Sequence, residues 1–264
     1  MGSVWAASDV RTGVQVALKL IRDSSSLDIA RVRLLREARA TQRVTHAAIV
    51  PVTDVFFHEA NPVLVMELLS GETLRVELHR EQSLPLGRAA QLLLPIAEAL
   101  HEAHGAGIVH RDIKPENIFV ERPSDSLAVA TARLLDFGVA RNYEPQAGSE
   151  QTPITALGTL LGTLAYMAPE QAMRPSECDQ RADIWAFGVC LYEVLSGCRP
   201  IEGNTGPETM RQLLVGGITP LAVLRPDLPG DIAALTQSML VRRLDGRLAT
   251  LGPVISILSK RLLG

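Results

Sequence analysis

Lysine is scarce in this chain. Of 26 cationic side chains in 264 residues, only Lys19, Lys114 and Lys260 are lysines; the other 23 are arginines. Lysine is a compact, strongly hydrated point charge on a flexible stem, whereas arginine is a planar fork. Each lysine in so arginine-rich a chain therefore raises the question of what needs a point charge there. Cysteine is scarce too. Cys178, Cys190 and Cys198 are odd in number and form no C-x-x-C pair. That excludes a disulfide scaffold and a zinc site and fits a reducing cytoplasm. There is no basic excess: a net charge of −3 gives no field for nucleic acid or an anionic membrane. The opening MGSVWAASD has no basic-then-apolar signal pattern. The uncharged run from Gln151 to Pro169 is 19 residues long but holds five Gln or Thr, two Pro and two Gly. Such a run reads as a loop, so no membrane segment is expected.

What is present is ordinary for a globular protein. Apolar residues make up 47% and charged residues 21%, enough for a real core. No internal repeat of fixed period occurs. The first 70 residues read as mainly β. Val14 to Leu20 alternates in part after an Arg-Thr-Gly turn, which predicts the second strand of a hairpin. Ile29 to Val44 places Ile29, Val32, Leu35 and Ala38 at helical spacing among charges, an amphipathic helix. Two more strands are expected at Ile49–Phe57 and Pro62–Leu68, with a break at Ser70-Gly71. From Thr73 the pattern turns helical: Thr73–Glu81, Leu86–His104, Ala182–Leu195, Pro207–Val215, Asp231–Leu240 and Leu251–Leu262. Two β-like stretches, Gly107–Glu121 and Ala128–Asp136, interrupt them. A β-rich front and a helical back predict two lobes joined near Glu67–Gly71, and such junctions favour ligand sites.

The densest chemistry is His110-Arg111-Asp112-Ile113-Lys114-Pro115-Glu116-Asn117. Five ionic or amide groups sit between two apolar, strand-like segments, an odd place for solvated decoration. The order suits phosphoryl transfer: a carboxylate for a hydroxyl, a cation for phosphate, an amide oxygen for a metal. Asp136-Phe137-Gly138 follows 19 residues beyond Asn117 and puts a carboxylate after an apolar strand, which suits a hard cation. Val16-Ala17-Leu18-Lys19 puts a lysine on a strand, and Arg36-Glu37-Ala38 a glutamate on the following helix. A buried ammonium needs such a partner.

Together with Gly162-Thr163-Leu164-Ala165-Tyr166-Met167-Ala168-Pro169-Glu170 and Asp183-Ile184-Trp185-Ala186-Phe187-Gly188, these segments resemble the eukaryotic-type serine/threonine protein kinases, bacterial members above all. The resemblance runs nearly end to end. It implies an α+β, bilobal fold as one catalytic domain over residues 1–264. A small β-rich N-lobe with one long helix would cover 1–69 and a larger helical C-lobe 70–264. It implies ATP and Mg²⁺, protein substrates with a serine or threonine acceptor, and no nucleic-acid partner. Lys19 would hold phosphates and pair with Glu37, Asp112 would orient the acceptor hydroxyl, and Lys114 would neutralise the moving phosphoryl group. Asn117 and Asp136 would ligate Mg²⁺. The base would lie between Val4 and Ala17 above and Phe119 below, against backbone groups of Glu67 and Leu69, with Met66 as gatekeeper. Glu170 would pair with Arg247, and Asp183 would anchor the catalytic-loop backbone. Arg111 beside Asp112 implies switching by a phosphorylated activation segment, with Thr152, Thr155 or Thr159 as acceptors.

One departure stands out. Met1-Gly2-Ser3-Val4 matches only the end of the family's glycine-rich loop, with Gly2 as its third glycine. Two readings stay open at this point: a start upstream of Met1, or a shortened domain that works weakly or serves as a kinase-shaped scaffold. A pairing edge at residues 3–8 is expected. The stretch Glu121–Thr131 reads as an extended surface loop.

Overall fold

The computed structural model describes residues 3–20, 44–59, 61–122, 130–136 and 164–262. The expected helix at Ile29–Val44, but for its last residue, lies outside them, as do Gly2, Glu37, most of the Glu121–Thr131 loop, and Thr152, Thr155, Thr159 and Thr163.

Four antiparallel strands form the front sheet: β1 (Ser3–Ser8), β2 (Gln15–Leu20), β3 (Val52–His58) and β4 (Asn61–Glu67), in the order β1-β2-β4-β3. The β1–β2 turn closes where the sequence predicts. The Asp9 carboxylate accepts the Arg11 N–H at 2.8 Å, a bond that lowers the Asp9 pKa. Among the described residues β1 pairs only with β2, so its outer edge is the expected pairing edge. Ile49 corrects the strand expected from that residue onward. It lies outside β3 and instead bridges in parallel to Leu134, with Val50 N–H donating to the Leu134 carbonyl at 3.0 Å. That segment ties the front of the molecule to the back.

A second sheet joins β5 (Gly71–Thr73), β6 (Ile118–Glu121) and β7 (Thr131–Leu134). The break expected at Ser70-Gly71 is thus the start of a strand. Three residues are too few to show a period, and only their pairing with β6 makes them one. Gly71 has φ +145°, and a Cβ there would stand 2.1 Å from the Val120 carbonyl oxygen. No side chain fits at this junction.

Eight helices occupy the back among the described residues: α1 (Leu74–Glu81), α2 (Leu86–Gly105), α3 (Pro169–Met173), α4 (Arg181–Ser196), α5 (Gly206–Val215), α6 (Leu221–Leu224), α7 (Gly230–Met239) and α8 (Gly252–Ser259). The two shortest, α3 and α6, escape a periodicity reading. Every residue of α4 from Ala182 to Leu195 is buried. A helix apolar on all sides belongs in the middle of a core, and α4 packs there against α2 and α7. At Gly188 a Cβ would meet the Met239 Cβ at 2.7 Å, so the glycine sets how closely α4 and α7 approach. The helical core is far larger than the front one, which consists of Ala17, Val50, Val52, Leu64 and Met66.

Candidate active site

The His110–Asn117 segment leaves the end of α2 and runs into a 3-10 turn, Pro115–Asn117, at the head of β6. Its backbone is clamped from α4. Asp183 is wholly buried. Its Oδ2 accepts the His110 N–H at 2.8 Å and its Oδ1 the Arg111 N–H at 2.7 Å. His104, from the last turn of α2, places Nε2 2.8 Å from the same Oδ2. Arg111 has φ +66°, a left-handed conformation that a bulky side chain rarely adopts. The Asp183 bond on one side and Gln171 Nε2 donating to the Arg111 carbonyl at 2.8 Å on the other hold it there. Such over-determined strain is characteristic of functional loops.

Asp112 stands at the centre of the next layer. Lys114 Nζ lies 3.1 Å from its Oδ1 and 2.8 Å from its Oδ2. Asn117 Nδ2 donates to the Asp112 carbonyl at 2.7 Å and to its Oδ2 at 3.0 Å. Both partners are acceptors, so the amide orientation is fixed and Oδ1 of Asn117 faces away from Asp112. His110 supports the arrangement from beneath. Its Nδ1 accepts the Asp112 N–H at 3.2 Å, and its Nε2 contacts the Leu135 carbonyl at 3.1 Å. A carbonyl only accepts, so the ring hydrogen is on Nε2.

Asp136 reaches this cluster through β7. Leu135 N–H donates to the Asn117 carbonyl at 2.8 Å, which sets Asp136 beside the metal-ligand candidate Asn117. Asp136 also has a left-handed backbone, φ +59°. Its Oδ2 takes an ion pair from Lys19 Nζ on β2. Glu37, the carboxylate expected for Lys19, lies outside the described residues; the described partner is Asp136. The structure therefore brings Lys19, Asp112, Lys114, Asn117 and Asp136 into one connected region. An amide oxygen and a carboxylate are hard donors of the kind Mg²⁺ takes, so the residues present fit that ion.

The residues expected around a base fall on two surfaces. Register pairs Val4 with Lys19, and Ala17 with both Ala6 and Met66. Directly opposed residues share a sheet face, so Val4, Ala17, Lys19 and Met66 lie on one side of the front sheet. Leu69 packs against the cluster of Ala17 and Met66. Phe119 lies on β6, opposite Arg133 on β7. Glu67 ends β4 at the junction between the sheets.

Two further clusters flank the loop. Glu170 and Arg247 form a buried two-pronged pair at 2.6 and 2.9 Å. The remaining N–H groups of Arg247 reach the carbonyls of Val241, Arg181 and Arg242, and its guanidinium lies 5.0 Å from the Trp185 ring centre. Sequence reading missed the second cluster. Arg75 on α1 bonds Glu116 at 2.8 Å and Glu193 at 2.9 Å, and contacts the Tyr166 hydroxyl. Burial works against its charge, yet Glu193 and the acidic groups around it hold the Arg75 pKa above its ordinary value. Burial and then the Glu193 charge push the Tyr166 pKa up. His104 and Gln171 were missed as well. Residues that act only through a distant backbone leave no local signature.

A family model described as the protein kinase domain matches residues 1–250. Serine/threonine-protein kinase pkn2 of Myxococcus xanthus is 37% identical over 240 residues, 90% of this chain and 28% of its own length. Serine/threonine-protein kinase PknA of Mycobacterium tuberculosis is 35% identical over 259 residues, 96% of this chain and 56% of its own length. Serine/threonine-protein kinase PknL of Mycobacterium tuberculosis is 38% identical over 206 residues, 77% of this chain and 48% of its own length. The chain thus spans about half or less of the length of these relatives. No described helix is long and apolar enough to cross a membrane. The matched family model covers the clamped loop, the Lys19–Asp136 pair and the Glu170–Arg247 anchor alike, and this chain belongs to the protein kinase domain family.

Proposed function

We propose that this chain is a serine/threonine protein kinase that transfers the γ-phosphoryl group of Mg-ATP to a hydroxyl of a protein substrate. One observation carries the reading: Asp112, Lys114 and Asn117 are bonded into a single cluster, and Asp136 beside it pairs with Lys19. In the step, a bond forms between the acceptor oxygen and the γ-phosphorus and the bond to the β,γ-bridging oxygen breaks. The hydroxyl proton goes to the Asp112 carboxylate, and ADP leaves. Lys114 supplies positive charge to the moving phosphoryl group, and Lys19 supplies it to the α- and β-phosphates. Mg²⁺, held by Asn117 and Asp136, would neutralise charge on the phosphate oxygens. Val4, Ala17 and Phe119 enclose the base, Glu67 and Leu69 meet its edge through their backbones, and Met66 limits the pocket's depth. Gly2 and Glu37 complete the set as the phosphate-loop glycine and the partner of Lys19.

On this reading residues 1–69 are the N-lobe and 70–264 the C-lobe of one catalytic domain, working in the cytoplasm. Thr155 or Thr159 is autophosphorylated and answered by Arg111. The alternative, a scaffold without catalysis, has no observation in its favour. The names of the relatives support the serine/threonine class.

A Mg-ATP assay on a serine/threonine peptide mixture tests the reading. Asp112→Asn should lower the rate by about 10²–10⁴-fold. Equal rates for Asp112→Asn and the wild-type chain would reject it.

A further inference from the structure

A cation lies beneath the junction of the two sheets. Arg133 on β7 shares a sheet face with Phe119, its partner on β6. Its Nη1 donates to Glu67 Oε2 at 2.8 Å and stands 3.7 Å from Glu121 Oε2. The Arg133 side chain is only 15% exposed, against 50% for Glu67. Its Nε is buried and has no hydrogen-bond partner among the described residues. A buried donor left unmet is costly. A neutral side chain could cover this face without that cost, so what the guanidinium does for its carboxylates calls for a role.

The position suggests that role. Glu67 is the last residue of β4, and Gly71 begins β5. Glu121 ends β6 below. The guanidinium is therefore bracketed by one carboxylate from each sheet, and it spans the short connection at residues 68–70. The other end of that connection is fastened by the Arg122 N–H donating to the Ser70 carbonyl at 2.9 Å.

We propose that Arg133 is a positioning residue for the nucleotide. The Glu67–Arg133–Glu121 clasp holds the connecting backbone so that Glu67 and Leu69 present their groups to the edge of the base. This rests on the reading of those two residues given under Proposed function. Asp112, Lys114 and Asn117 are held by bonds that do not involve Arg133. Loosening the clasp therefore weakens nucleotide binding and leaves the chemical step alone.

The test compares the wild-type chain, Arg133→Met, Arg133→Lys, Glu67→Gln and the Arg133→Met/Glu67→Gln double variant. KM for Mg-ATP, kcat at saturating ATP and direct affinity for a fluorescent ATP analogue are measured on each. Because Glu67 is half exposed and screened, Arg133→Met should raise KM and the dissociation constant about three- to tenfold, with kcat within about twofold. Arg133→Lys should recover part of the loss. The double variant should bind no more than about twofold more weakly than Arg133→Met, since both remove one interaction. Unchanged KM and affinity in Arg133→Met would overturn the proposal, and so would a fall in kcat at constant KM. Should Arg133→Met not fold, unchanged affinity in both Arg133→Lys and Glu67→Gln overturns it equally. A wild-type chain that binds the analogue but transfers no phosphate would sink the kinase reading alone, and the affinities would still decide the clasp.

Discussion

The candidate site and the helical core each hold an ion pair, and the two are built differently. Arg247 in the core has all five N–H groups engaged, two on Glu170 and three on backbone carbonyls, and its side chain is fully shielded from solvent. Lys19 in the candidate site meets Asp136, is 22% exposed, and has three donors on a flexible stem. A saturated fork cannot accept a ligand without losing a bond it already has. A lysine on a flexible stem, with one carboxylate partner among the described residues, can turn to a phosphate on the proposed mechanism while staying near that carboxylate. The same formal interaction is thus a rivet in one place and an exchangeable contact in the other. On the proposed function, that difference separates the part of the molecule that stays fixed from the part that binds nucleotide.

The comparison can be broken at three points. The largest effect is expected at Arg247→Met, which leaves Glu170 buried without its partner. Urea unfolding should show a loss of about 3–5 kcal/mol. A loss as small as that of a surface pair would remove the rivet from the account. Next comes Lys19→Met. On the proposed mechanism it lowers phosphoryl transfer by about 10²–10³-fold. Its stability should fall by less than that of Arg247→Met, because the pair is partly exposed whereas Arg247 is fully shielded. Equal damage to stability and activity would show that Lys19 and Arg247 do the same job. The smallest effect concerns thiols. Cys178 and Cys190 are buried and Cys198 is exposed. Burial, and after it the Glu170 charge, pushes the Cys178 thiol up to about 12. A thiol reagent at neutral pH should therefore titrate Cys198 alone in the native chain and all three cysteines in urea. A raised folded pKa also means that stability is fully present below the ordinary thiol value of 9.0. It should decline as pH rises from there towards 12, because the unfolded chain gives up the proton first. Flat stability across that window would contradict the burial of Cys178.

Much of the site was legible because its residues cluster along the chain. Asp112, Lys114 and Asn117 lie within six positions, and the 3-10 turn at Pro115–Asn117 folds them together locally. The long helices α2 and α4 were legible from apolar content and length. The three-residue β5 and the short α3 and α6 were not, since so few residues carry no period. Arg75, His104 and Arg133 escaped for another reason: each meets partners far along the chain, and an arginine or histidine on a surface-like pattern looks the same whether or not such a partner exists.

The rarity of lysine singles out Lys19, Lys114 and Lys260 alike; the first two stand beside carboxylates of the candidate site, and Lys260 has no assigned role. The sequence by itself determined the chemistry on offer: which acids, cations and amide occur, and in what order. The tertiary structure decided their state. It paired Lys19 with Asp136, aimed Asn117 by bonding its amide nitrogen to Asp112, and held Arg111 in a left-handed conformation from a buried Asp183. The physical reason is that charge and hydrogen-bonding capacity belong to a residue, whereas distance, burial and direction belong to the packing around it.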